Sequence, residues 1–179
     1  VKADKSTWTG ANGGANTNIT LTNATTWNGA NTGADTVINL TDSSWSGANT
    51  GANATVSLTD SNWTGDNSGA GLSLTANNSK WNGSTSAAGS ATLTNGSIWN
   101  GASTSADFSL TLNGSTWNNS GASSLKSFNA TNGIVDMTNA AASVTIGSYS
   151  GDATVIYKHN SSNPAEVHGG NFTVNKAAA

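Results

Sequence analysis

The stretch Leu40-Thr41-Asp42-Ser43-Ser44-Trp45-Ser46-Gly47-Ala48 returns one unit later as Leu58-Thr59-Asp60-Ser61-Asn62-Trp63-Thr64-Gly65-Asp66. Every tryptophan of the chain keeps this beat. Along Trp8, Trp27, Trp45, Trp63, Trp81, Trp99 and Trp117 the numbers advance by 19 once and by 18 at every later step. A period near twenty, carried by small and β-branched residues, marks a solenoid whose units bury their faces only by stacking on one another.

Alignment on tryptophan gives columns. Two residues before it stands a hydroxyl: Ser6, Thr25, Ser43, Ser61, Ser79, Ser97 and Ser115. Two after it stands glycine, from Gly10 to Gly101, with Asn119 as the exception. Seven after it stands alanine, from Ala15 to Ala106, and then Ser124. Further on, Ile38-Asn39-Leu40 and Val56-Ser57-Leu58 show the apolar-polar-apolar alternation of a strand with one buried face. Each unit therefore predicts one clear strand there and a second, shorter one through Ser-x-Trp. The polar residue after each tryptophan points out, so the tryptophan points in, which makes a ladder of indoles the main apolar content of the coil. The competing arrangement is an outward aromatic stripe able to stack on sugars.

Asp42, Asp60 and Asn78 suit a tight corner, as does a glycine taking positive φ after the tryptophan. The alanine column then marks a narrow third side. The one longer step comes from an extra residue between Leu21 and Trp27, and the fifth unit slips by one at Ala91-Thr92-Leu93; both are placed in corners. After Trp117 the beat changes: Gly133–Met137, Val144–Ile146, Ala153–Tyr157 and Gly169–Val174 read as more apolar strands at longer intervals. Residues 1–124 are thus regular coils, and 125–179 less regular coils that continue or cap the same solenoid.

Composition narrows the function. Charged residues make up 8%, there is no arginine, and six lysines are scattered against nine acids, which disfavours a phosphate backbone as partner. Cysteine is absent, so disulfides and thiolate metal sites are excluded. No run approaches a membrane-spanning helix, so membrane insertion of this segment is not expected. The chain opens in the second half of a repeat and reads as part of something longer.

The run Leu112-Asn113-Gly114-Ser115-Thr116-Trp117, followed by Ser124-Leu125-Lys126-Ser127-Phe128, Asn132-Gly133-Ile134-Val135-Asp136-Met137 and Val144-Thr145-Ile146-Gly147-Ser148-Tyr149-Ser150-Gly151, resembles the pertactin-like passenger of type V autotransporters. The likeness is best over residues 112–176. It implies an all-β fold, a right-handed parallel β-helix (solenoid), to which the repeat assigns about 18 residues per coil. It also implies export to the bacterial cell surface by a translocating β-barrel elsewhere in the protein, and a role as an adhesin contacting a host or neighbouring-cell molecule, protein or glycan.

Other chemistries compete with this one. A carbohydrate-active β-helix enzyme needs grouped acids; Asp42 and Asp60 share a column, where paired carboxylates serve glycosidases, yet corner residues capping backbone amides read the same way. His159, Glu166 and His168 fall together but flank turn material, and Gly169-Gly170-Asn171 lacks the aspartate of a calcium-binding repeat, so no metal or other cofactor is assigned. Pairs such as Thr20-Leu21-Thr22 and Thr92-Leu93-Thr94 raise ice binding or a purely structural stalk; aligned by position, their column is broken by Ser57, Ser73 and Leu110. The reading is a non-catalytic surface adhesin, with the seven tryptophans as its structural ladder.

Overall fold

A computed structural model describes residues 1–159, 167–168 and 172–175 of the chain. It is an all-β parallel solenoid with about 18 residues per coil, and no helix occurs among the described residues. The fold class expected from the repeat is the one observed.

Each coil has three sides. The long side carries strands such as Asn18–Thr22, Val37–Thr41, Thr55–Thr59, Leu72–Asn77, Gly89–Thr94 and Phe108–Asn113. The tryptophan side carries short strands such as Thr26–Asn28, Ser44–Ser46, Asn62–Thr64 and Lys80–Asn82. On the third side, single parallel bridges run Asn12–Asn31–Asn49–Asn67–Thr85–Ser103. These strands pair with their counterparts one coil away, in parallel, so the backbone donors and acceptors of one coil are met by the next.

The corners explain where the sequence puts Asn and Asp. Between the long side and the tryptophan side, Asp42, Asp60, Asn78 and Asn95 have φ of 50°, 50°, 47° and 54°. Short polar side chains tolerate this left-handed region better than other non-glycine residues do. A second such corner, not anticipated from the sequence, precedes the long strand at Asn16, Asp35 and Asn53, each with φ of 55°.

Both irregularities lie in corners, as expected. Lys2 pairs with Thr20, but after the corner Thr7 pairs with Thr26; the added residue sits at Asn23-Ala24, both left-handed, with φ of 53° and 62°. In the fifth unit Leu72 pairs with Gly89 while Asn67 still pairs with Thr85, so one residue is lost between the third side and the long side. The next coil restores it, with Gly89 against Phe108. Ala91 and Leu93 thereby take the inward places of Leu74 and Ala76.

From Ala122 the coil widens. Strands Ala122–Asp136 and Ser143–Ile156 run through a former corner, with a register shift between Ala130 and Gly133. Ala122 pairs with Ser143, and Val144 pairs with Phe172. Val135 follows Trp117 in the tryptophan column. Lys158–His159 pairs antiparallel with Val167–His168, the one departure from parallel pairing among the described residues.

Inside lie Ile19, Leu21, Ile38, Leu40, Val56 and Leu58 from the long side, facing the indoles. Trp27, Trp45, Trp63, Trp81, Trp99 and Trp117 are at most 1% exposed. Neighbouring indoles stack with centroids 4.6–5.1 Å apart and planes 4–9° from parallel. Each stacked pair adds about 0.5–1.5 kcal/mol beyond the area it buries. Replacing Trp63 by alanine removes a ring from the middle of the stack and leaves a cavity that neighbours cannot close without breaking register. The expected cost is about 3–5 kcal/mol, read as a lower denaturation midpoint; an unchanged midpoint would contradict a close-packed stack.

Candidate functional site

Three side-chain ladders fix the coils, and they determine which groups are left on the surface. In the first, each indole Nε1 donates to the carbonyl oxygen of the glycine one coil back: Trp27 to Gly10, Trp45 to Gly29, Trp63 to Gly47 and so on to Trp117 and Gly101, at 2.8–3.0 Å. This extends the reading of the glycine column. A Cβ on Gly29 or Gly47 would collide with the carbonyl of the glycine beneath, Gly10 or Gly29. Close approach of two backbones demands glycine from Gly29 to Gly101, and the positive φ expected for the column occurs at Gly10 and Gly65, at 142° and 157°. Asn119 stands where the next coil offers Val135 and no indole; its buried amide instead donates to the Ser143 carbonyl at 2.9 Å.

The second ladder is hydroxylic. The Ser43, Ser61, Ser79 and Ser97 hydroxyls each accept the backbone N–H of the counterpart residue one coil back, at 3.0–3.2 Å. Each also donates to a carbonyl of its own corner, as Ser61 does to Thr59 at 2.7 Å. From Thr25 to Ser97 the column two before tryptophan is therefore buried and doubly bonded.

The third ladder escaped the sequence reading. Four residues after tryptophan, Asn31, Asn49 and Asn67 are at most 1% exposed. Asn12 Nδ2 donates to Asn31 Oδ1, Asn31 to Asn49 and Asn49 to Asn67 at 2.7–2.8 Å, and Asn67 donates to the Thr85 hydroxyl at 3.0 Å. The second amide hydrogen reaches the carbonyl two residues on, as from Asn49 to Gly51 at 3.2 Å. These residues, and not the alanines, form the narrow third side. Ala15, Ala52, Ala70 and Ala106 are exposed in the turn that follows. The available signal was the recurring Trp-x-Gly-x-Asn, an amide repeated in step with a buried aromatic.

The charged candidates lie apart from any enclosed site. Asp42 and Asp60 are corner residues beside a shallow depression also lined by Thr25, Ser43 and Asn62. Asp60 accepts from Asn78 Nδ2 at 2.7 Å, and Asp35 from Asn53 at 3.1 Å, so these carboxylates serve the corner ladders. Hydrogen bonds from Asn23 and Thr22, aided by Lys5, hold the Asp4 carboxyl below its ordinary range. Other depressions follow Asn118, Asn119 and Asp136 on the tryptophan side, and Asp66, Ser84 and Thr104 near the third side. No group of three or more His, Cys, Asp or Glu lies together among the described residues. Glu166 and Gly169-Gly170-Asn171 fall outside them.

The largest regular feature is the outward face of the long side. Its middle column is Thr20, Asn39, Ser57, Thr75, Thr92 and Thr111. Beside it runs Thr22, Thr41, Thr59, Asn77, Thr94 and Asn113. From Thr20 to Asn113 neither column carries a charge; one coil earlier the same columns hold Lys2 and Asp4, and Asp4 accepts from the Thr22 hydroxyl at 2.9 Å. The column read from the sequence had mixed faces: Leu110 points into the core, and the fifth-unit slip had placed Thr92 and Thr94 with the inward residues.

In comparisons with known proteins, no family model, no curated protein and no solved structure matches this chain. Among the described residues no helix is long and apolar enough to cross a membrane.

The amide ladder has a direct test. Asn49→Asp keeps the acceptor for Asn31 but sets a buried carboxylate against Asn67 Oδ1 and the Gly51 carbonyl. The expected loss is about 3 kcal/mol or more at neutral pH, partly regained on acidification because the protonated acid donates again. Equal stability of variant and parent across pH would contradict the ladder.

Proposed function

We propose that this chain is a segment of a bacterial autotransporter passenger, a non-catalytic adhesin that holds a polar solenoid at the cell surface for attachment to a host or neighbouring cell. The observation that carries the reading is the construction of the rod itself. Neutral ladders repeat coil after coil, so length is added without any change of local chemistry. A solenoid of this kind extends a contact surface away from its anchor, and weak contacts repeated along it gain by multivalency. The family resemblance over residues 112–176 points the same way, and the widened coils from Ala122 onward lie within that part of the chain.

Export also favours the reading. A chain with no cysteine and an interior held by local, coil-to-coil bonds stays unfolded without cross-links and then folds by adding one coil to the next. A translocating β-barrel elsewhere in the protein would supply the passage. The ligand, a surface protein or a glycan, is met by hydroxyl and amide groups, since the rod offers them in columns and keeps its indoles inside.

The test is display. The chain is fused to a translocating barrel, its presence on the cells is verified with antibody, and attachment to cultured epithelial cells and cell-to-cell aggregation are counted. Cells showing the chain should attach or aggregate several-fold more than cells showing the barrel alone. Equal counts, with the chain displayed and folded, would overturn the proposal.

A further inference from the structure

The neutral face of the long side carries an inference that goes beyond attachment to cells and stands independently of it. Over six coils, from Thr20 and Thr22 to Thr111 and Asn113, eight of its twelve outward positions in the two columns are threonine, three are asparagine and one is serine. Each residue pairs in register with its counterpart, and the fifth-unit slip is absorbed before the strand begins. The stacked indoles inside keep their planes within 4–9° of parallel, so neighbouring coils do not tilt against one another along this stretch.

The result is a two-dimensional lattice of hydroxyl and methyl groups. Its intervals are about 4.8 Å between strands and about 6.6 Å between next-but-one residues of a strand. The shallow depressions described above, and another beside Asn78, Lys80 and Gly96, lie on the corners, the tryptophan side and the third side, so the lattice is not a pocket for a small ligand. Between Thr20 and Asn113 it carries no charge, and the single Lys2 that borders it in register stands beside Asp4, so it offers no cluster of cations to phosphate or an anionic membrane. It also presents no aromatic platform, because the indoles are inside, and this counts against stacking on a crystalline polysaccharide. What it fits is a neutral, periodic surface of hydrogen-bonding oxygens, and the oxygen rows of hexagonal ice repeat at comparable intervals in both directions.

We propose that the outward threonine face of the long side adsorbs to ice, with the threonine hydroxyls joining the lattice of bound water and the methyl groups filling the spaces between its oxygens. A surface so matched needs no strong single contact. Many equivalent weak ones, engaged together on a rigid sheet, hold the protein to the crystal.

The experiment uses the purified chain in a nanolitre osmometer and in slow freezing onto an ice finger. Expected are a measurable gap between melting and freezing points, faceted crystals, and enrichment of the protein in the ice. Thr92→Lys, in the middle column of the face, should reduce the gap at least several-fold. Thr64→Lys, an exposed position on the tryptophan side, should leave it unchanged, with circular dichroism showing both variants folded. No gap with the parent chain, together with its exclusion from ice, would overturn the proposal, as would equal losses from both substitutions. Retention on microcrystalline chitin or cellulose, by a chain that ice excludes, would assign the face to a polysaccharide and overturn it too.

Discussion

Each buried indole is held twice, ring against ring along the stack and N–H onto the glycine carbonyl one coil back, and the rest of the solenoid is arranged around that double constraint. The ring sets the spacing of the coils and the N–H bond sets their register. An indole N–H buried without an acceptor would be costly, so the carbonyl must turn inward; once it does, a side chain above it collides at Gly29, Gly47, Gly65, Gly83 and Gly101, and only at the end of the tryptophan stack does Asn119 stand over Gly101. Trp-x-Gly is thus one physical unit spread over two coils. In a coil this narrow, the six fully buried indoles supply apolar bulk that Ile, Val and Leu on the long side could not provide alone.

The polar interior follows a second rule: a buried polar group must find a partner that repeats with the coil. Asparagine meets it because its amide both donates and accepts, so the Asn ladder runs from Asn12 to Asn67 and closes on the Thr85 hydroxyl. Serine does so by accepting a backbone N–H and donating to a carbonyl. Among the described residues no buried side-chain nitrogen or oxygen lacks a partner. A charged residue has no such option, since a column of like charges one strand spacing apart repels itself. Hence the low charge of the chain; Asp35, Asp42 and Asp60 stand at exposed corners, where Asn53 donates to Asp35 and Asn78 to Asp60.

The period of the tryptophans made the coil legible, and the alternation of Ile38-Asn39-Leu40 made its main strand legible, because both are patterns of burial. The corner at Asp42 and Asp60 was legible through backbone preference. The Asn ladder was not, since an isolated asparagine between glycines reads as turn material; only its repetition in step with tryptophan distinguishes it. The alanine column misled for the complementary reason that small and apolar does not imply inward. The threonine face was obscured by alignment on tryptophan alone, which overlooks a residue lost before Gly89 and regained before Phe108. After Trp117 the change of beat announced wider coils, but the antiparallel pairing of Lys158–His159 with Val167–His168 carries no pattern that two-residue strands could show.

The buried stack is tested most directly by acrylamide quenching of tryptophan fluorescence in the folded chain. With six of seven indoles sealed inside and only Trp8 partly open at the first coil, emission should be blue-shifted and quenched weakly, with a small accessible fraction. Denaturation should then make every indole accessible. A red-shifted spectrum quenched as readily before unfolding as after it would mean that the indoles face water, and the solenoid described here would be wrong at its centre.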